Sequence, residues 1–188
     1  VTLVGTHLED ELIKGIKSNK NFHPALSMEL PPELKVEKFE KLSLILKSGV
    51  DIIVAGVSSI GIKWFVEQIS EYYKKNLPII LLTKGLAIEE NELMTLSDKI
   101  KKLLKEKGHT GVNISAIKGP CLAAGLANKM RTGTVIANPD IKETELLKKI
   151  ISTNYYSTEI SDDLTGIELS GAIKNIYSML IGASEGLS

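Results

Sequence analysis

Short β-branched runs alternate with stretches of helical spacing along most of this chain, and that alternation constrains the fold more than any other feature. Residues 1–4 read as a strand stopped at Gly5. Leu8, Leu12, Ile13 and Ile16 then recur at helical spacing over about residues 8–19. Residues 20–36 contain His23-Pro24 and Pro31-Pro32 and read as loop, with a short strand near Leu34-Val36. Phe39, Leu42, Ile45 and Leu46 mark a further helix. Residues 51–57 form a near-continuous apolar run, the mark of a strand buried on both faces of a parallel sheet. Ser58 and Ser59 follow as helix caps, and Ile62, Phe65, Val66, Ile69 and Tyr73 give a helical face. The same reasoning places strands at 78–83, 112–117, 132–137 and 155–160. It places helices at about 95–107, 121–130 and 141–152. Strands alternating with helices in this way build βαβ units, so the fold class is α/β with a mostly parallel sheet.

After Ile160 the pattern changes to one long apolar helix, about 163–184, with Thr165 and Glu168 at capping-box spacing. The division expected is an α/β domain over 1–160 and the start of a helical domain over 161–188. The chain starts at Val1, inside an apolar run, and stops at Ser188 without a strong helix stop, so both ends read as cut.

Composition narrows the function classes. Of 188 residues, 43% are apolar, enough for a real core and too many for a disordered tail. The 23 Lys+Arg are cancelled by 23 Asp+Glu, which argues against a nucleic-acid binder acting by bulk charge. No apolar run approaches the ~20 residues of a membrane span. The single cysteine, Cys121, excludes an internal disulfide and a cysteine-only zinc site. His7, His23 and His109 lack metal-ligand spacing, and a histidine without a partner specifies nothing. No metal is expected.

In open parallel sheets ligands bind beyond the carboxyl ends of the strands. Those positions here are Gly5-Thr6, Ser58-Ser59, Thr83-Lys84-Gly85, Lys118-Gly119-Pro120 and Asn138-Pro139. No G-x-G-x-x-G occurs, so motif logic alone does not assign a dinucleotide site. Lys84, at a strand mouth, suits an anionic substrate or a carbonyl oxygen; it equally suits a solvated lysine at a strand end. Lys174 shares its helix face with Ser170, Gly171, Tyr177 and Ser178. Three of those are small and leave room above the ammonium for a ligand or a close-packed strand. An apolar, partly buried setting would lower the lysine's pKa and suit it to proton transfer. A packing stripe with a snorkelling lysine fits the same spacing. Gly119-Pro120-Cys121 opens a helix whose free N–H groups suit an anion and would activate the thiol, against the plainer reading of a small buried cysteine.

Thr83-Lys84-Gly85, then Gly119-Pro120-Cys121-Leu122-Ala123, then residues 166–175 (Gly-Ile-Glu-Leu-Ser-Gly-Ala-Ile-Lys-Asn) together resemble NAD(P)-dependent sn-glycerol-3-phosphate dehydrogenases. Residues 182–187 fit the same family, and Val4-Gly5-Thr6 with Phe22-His23-Pro24 resemble its bacterial branch. The resemblance covers essentially the whole chain, and its most specific part is Glu168 to Asn175.

It implies a Rossmann-like domain followed by a helical one. The reaction implied is hydride transfer between NAD or NADP and dihydroxyacetone phosphate or glycerol 3-phosphate, for phospholipid precursor synthesis. On the resemblance, Lys174 is the general acid/base and Lys84 contacts substrate and lies near the nicotinamide. Gly119 and Cys121 line the substrate site, Asn175 supports the substrate, and Ala123 lies near the cofactor. The family often has serine where Cys121 stands. The resemblance also implies a cytoplasmic homodimer, a glycine-rich loop before Val1, and substrate-gripping helices beyond Ser188. It follows that these residues alone are expected to show little or no activity. NAD and NADP are distinguished near Gly5-Thr6-His7, where Glu9 is the first acidic residue and no arginine stands, so neither is favoured. The alternatives are a related 3-hydroxyacid or 6-phosphogluconate-type dehydrogenase and a non-catalytic family member.

Overall fold

The computed structural model describes residues 1–187. In chain order the elements are β1 (Thr2–Val4), α1 (Asp10–Ser18), β2 (Phe22–His23), β3 (Met28–Glu29), β4 (Lys35–Glu37), α2 (Leu42–Ser48), β5 (Ile53–Ala55), α3 (Ile62–Ile69), β6 (Ile79–Leu81), β7 (Leu86–Glu89), β8 (Glu92–Thr95), α4 (Leu96–Glu106), β9 (Ile114–Lys118), α5 (Ala123–Ala127), β10 (Thr132–Ala137), α6 (Ile141–Ile151), β11 (Tyr156–Ser161) and α7 (Leu164–Gly186). They fall into two compact units. One is Val1–Val50 with Leu122–Met130; the other is Asp51–Cys121 with the chain from Arg131 onward.

In the first unit β1 and β4 pair in parallel, with α1 between them in sequence. Ile13 and Ile16 of α1 are buried against Val36 of β4, with Leu12, Leu30 and Leu34 closing the cluster. Asp10 and Glu11 in the first turn and Lys17 in the last complement the helix dipole. Gly5 ends β1 where α1 passes closest: a Cβ there would lie 2.7 Å from Ile13 Cγ1. The segment expected as loop does carry its short strand, β4, and also a small hairpin, β2–β3. Ser27 takes the left-handed conformation, at φ 52°, in the turn that joins the hairpin's strands.

The second unit is built on a sheet in the order β11-β10-β9-β6-β5. β5, β6 and β9 run in parallel; β10 is antiparallel to β9, and β11 is parallel to β10. Alternation along the strands gives two covered faces. On one, Ile80, Ile117 and Ile136 pack with Leu147 of α6. On the other, Ala116 and Ala137 pack with Leu164 and Ile167 of α7. All five residues of β9 are buried. Leu96, Ile100 and Leu104 recur every fourth residue of α4 and are fully buried, while Thr95 caps the helix by accepting a hydrogen bond from Asp98 N.

Three local expectations change. First, β7 and β8 form a hairpin turned at Glu90 and Asn91, both left-handed, at φ 52° and 71°. Its polar turn, Glu89 to Glu92, hides the alternation on either side. Second, the helix expected at 121–130 shrinks to α5, which begins at Ala123 without a side-chain cap. Third, Thr165 and Glu168 do not form a capping box. Asp163 caps α7, accepting from Gly166 N at 2.7 Å. Gly166 is needed there, since a Cβ would sit inside contact distance of the Asp163 carboxylate. Glu168 instead turns inward and is fully buried.

Leu104→Ala is expected to cost about 2–5 kcal/mol of unfolding free energy as a cavity in the α4 packing. Ile88→Ala, at an exposed hairpin position, should change it by less than ~0.5 kcal/mol. Urea unfolding of both variants checks the contrast.

Candidate active site

The carboxyl ends of β5, β6 and β9 lie side by side, and three chain segments leave the sheet there. After β5 comes Gly56, where a Cβ would meet nothing within 4 Å. After β6 come Leu82, Thr83, Lys84 and Gly85. After β9 come Gly119, Pro120 and Cys121.

Hydrogen bonds to both neighbouring segments fix the turn after β6. The buried Thr83 donates its hydroxyl to Val57 O at 2.6 Å, and Leu82 N donates to Ala55 O at 3.0 Å. Gly85 turns the chain at φ +127°, 3.5 Å from Ser59 Cβ at the position of a missing Cβ. Lys84 thus stands at the mouth on a held backbone. Its side chain is exposed, and Nζ donates to Gly119 O at 3.4 Å. Lys84 and Gly119 are therefore brought together.

Gly119 itself is a close-approach position. A Cβ there would lie 2.8 Å from both Gly133 O and Thr134 Cα of β10. Cys121 is half-buried and is not at a helix start, because α5 begins two residues later and has only five residues. The helix-dipole argument for its reactivity therefore does not hold. Its thiol instead neighbours Tyr156. Burial pushes the Tyr156 hydroxyl's pKa up, the hydrogen bond from Thr134 Oγ1 at 2.8 Å lowers it, and Cys121 raises it. Ala123 belongs to the other unit, as the exposed first residue of α5.

Lys174 and Asn175 lie on α7. This helix starts beside Ala116 and Ala137 and reaches Lys118, at the carboxyl end of β9, by Gly171. Lys174 shares a face with Gly171 one turn further on, beyond the strand end. The apolar enclosure expected for it is not formed by the described residues. Lys174 and Asn175 are exposed, as are Ile176, Tyr177, Met179, Leu180 and Ile181. The small stripe does serve close packing at one position: the stem of Lys118 passes over Gly171.

Lys118 is the residue that sequence reasoning missed. The strand reading stopped at Ile117 because a lysine looks like a strand end, yet β9 continues through it and Lys118 is only 5% exposed. Its Nζ donates to Thr83 O at 2.6 Å and to Leu81 O at 3.3 Å. Burial lowers its pKa to about 8; the Glu168 carboxylate raises it and the Lys84 ammonium lowers it. The two-residue period held a clue: Lys118 falls on the same face as Ala116, the face α7 covers.

The histidines have structural partners. His23 Nδ1 accepts from Leu26 N, His109 Nε2 lies 2.7 Å from Ser70 O, and the rings of His7 and Phe39 meet edge-on. No cluster of three His, Cys, Asp or Glu suited to a metal occurs among the described residues. Nor is any helix there long and apolar enough to cross a membrane. At the tip of β1, Glu9 is turned onto its own loop, accepting from both Thr6 N and Thr6 Oγ1 at 2.6 Å.

Lys118 also carries a stability signature. Its folded pKa, about 8, lies below the ordinary 10.5. Between those values the unfolded chain holds the proton and the folded one has lost it, so stability rises with pH across that window. Wild type is expected to gain up to about 3 kcal/mol from this group between pH 8 and 10.5. Lys118→Met should lack that gain, which urea unfolding of both proteins at pH 7.5 and about 9.5 measures.

With this geometry in place, similarity to known proteins is informative. The family described as NAD-dependent glycerol-3-phosphate dehydrogenase N-terminus matches residues 4–144. The NADP(+)-dependent glycerol-3-phosphate dehydrogenase of Archaeoglobus fulgidus is 31% identical over 183 residues, covering 96% of this chain and 52% of that protein. The glycerol-3-phosphate dehydrogenase [NAD(P)+] of Mesoplasma florum is 36% identical over 131 residues, covering 70% of this chain and 38% of its own length. The chain spans about half the length of the first curated relatives it matches. Among solved structures, glycerol-3-phosphate dehydrogenase from Coxiella burnetii superposes with a TM-score of 0.78 at 23% identity, over all of this chain and 54% of that one. That likeness is one of fold.

Proposed function

Because the chain belongs to the NAD-dependent glycerol-3-phosphate dehydrogenase N-terminus family, we propose that it forms part of an enzyme reducing dihydroxyacetone phosphate to sn-glycerol 3-phosphate, reversibly. The product would supply the backbone of glycerophospholipids. The observation that carries this reading is the held turn at the mouth of β6, with Lys84 on Gly119 O and α7 running past the end of the neighbouring strand. The same proposal has residues from 161 onward opening a helical substrate domain, and the whole enzyme acting as a cytoplasmic homodimer.

The residues present fit a nicotinamide cofactor at this mouth: Gly56 leaves open space at the end of β5, and Gly85 keeps backbone rather than side chain beside Ser59. In this unit Gly56 and Lys84 are the residues that would hold NAD or NADP; the family resemblance separately assigns Ala123 to the cofactor. When bound, the cofactor supplies or takes the hydride at C2.

In this proposal the chain's own groups act on the rest of the substrate. The Lys84 ammonium attracts the anionic substrate and steadies its carbonyl oxygen. Gly119 and Cys121 line the space beside it. Lys174 gives a proton to the C2 oxygen as the alcohol forms and takes it back in the reverse direction. Asn175, next along α7, supports the substrate from the same side.

In the full-length protein, Lys174→Ala is expected to lower kcat by at least ~10²-fold, the scale of general acid–base catalysis. Lys84→Ala should act mainly on KM for dihydroxyacetone phosphate. Steady-state NADH and NADPH oxidation with that substrate, beside 3-hydroxyacids and 6-phosphogluconate in the oxidative direction, tests both roles and the substrate class. Near-wild-type turnover by Lys174→Ala would remove Lys174 from the chemistry.

A further inference from the structure

Lys118 does something that neither the sequence motifs nor the two-lysine reading accounts for. Its ammonium is buried at the mouth and bonds to the carbonyls of Leu81 and Thr83, which bracket Leu82 just before Lys84. Its stem crosses α7 at Gly171. A Cβ on residue 171 would lie 3.2 Å from Lys118 Cδ and 3.3 Å from Cγ. Its countercharge comes from the same helix: Glu168, one turn earlier, is fully buried. Glu168 Oε1 accepts from Ser97 N at 3.2 Å, and Oε2 has no hydrogen-bond partner among the described residues. The Glu168 carboxylate thus acts on Lys118 through space, by its charge, and not by a direct bond. The other charged group acting on Lys118 is Lys84, on the turn after β6.

A surface lysine would make neither bond. A buried ammonium here instead ties the end of β6 to the end of β9, one residue before the side chain that meets substrate. We propose that Lys118 is a positioning residue: its ammonium, bonded to the Leu81 and Thr83 carbonyls and with its stem seated in the notch at Gly171, fixes the Leu81–Thr83 backbone and so the place of Lys84. The substrate part of this inference rests on the reading of Lys84 given above. Loss of the Lys118 proton leaves a neutral amine, a weaker donor to both carbonyls. The pKa of about 8 places that loss within reach of ordinary assay conditions.

The test has two arms. In the full-length enzyme, KM and kcat are followed from about pH 6.5 to 9.5. Wild type should show KM for dihydroxyacetone phosphate rising above about pH 8. Lys118→Met should raise KM about tenfold or more at neutral pH, the scale of charge-assisted hydrogen bonds, with a smaller effect on kcat and no further rise near pH 8. Glu168→Gln keeps the lysine but removes its countercharge, so the rise should move to lower pH. A folded Lys118→Met enzyme with wild-type KM and pH profile would overturn the proposal. So would a Glu168→Gln profile unchanged from wild type, should Lys118→Met not fold.

In the second arm, amide exchange at Leu82, whose N–H is held by Ala55 O, is compared in the 188-residue chain and its Lys118→Met variant. Exchange should quicken about tenfold or more in the variant, on the same hydrogen-bond scale. Unchanged exchange defeats the positioning role whatever the substrate. Faster exchange in a protein that does not turn over dihydroxyacetone phosphate defeats the substrate reading and leaves the positioning role standing.

Discussion

An ammonium lies buried at the end of β9, hydrogen-bonded to two carbonyls at the end of β6, with a buried carboxylate of α7 acting on its charge. Taking either ion out of water alone costs several kcal/mol. Here the cost is offset by two backbone carbonyls on the lysine side and by Ser97 N on the glutamate side. The consequence is geometric. Hydrogen bonds from Lys118 tie β9 to the end of β6, and the one accepted by Glu168 ties α7 to α4, segments far apart in sequence. Removing one partner would leave the other buried and uncompensated, so the pair constrains position more firmly than it adds stability.

Glycines make this arrangement possible at the points of closest approach. Gly171 lets the Lys118 stem pass across α7, Gly119 lets the chain leave β9 against the backbone of β10, and Gly166 leaves room for the Asp163 cap. All three lie in the segments that carry the family resemblance, and all are tight in this fold for steric reasons visible without any ligand. Packing and chemistry thus share residues. Gly119 is at once a backbone contact and, through its carbonyl, the acceptor that steadies Lys84.

Much of the fold was legible because its signals are local. The apolar run at 51–57 holds β5, and the fourfold spacing of Leu96, Ile100 and Leu104 is α4. The elements missed were those whose pattern is short or interrupted. The β7–β8 hairpin turns through two left-handed residues that the sequence shows only as polar, and the β2–β3 hairpin has two residues a side. At the site, Lys84 was legible from its place after a strand and before a glycine. Lys118 was not, because the rule that lysines lie outside ends a strand at the residue before it. Glu168 was read as a cap because its spacing from Thr165 is right, whereas burial and a hydrogen bond from Ser97 N give it a different partner.

The sequence by itself determined the alternation of the main sheet strands with helices, the α/β class, and where the chain leaves β5, β6 and β9, since periodicity and turn residues act over a few neighbours. The tertiary structure decided which strands pair, that β10 runs back along β9, and that Lys118 and Glu168 are both buried. The physical reason is that the sign and size of a charged group's contribution depend on its solvation and its partners. Those are set by residues dozens of positions away in the chain.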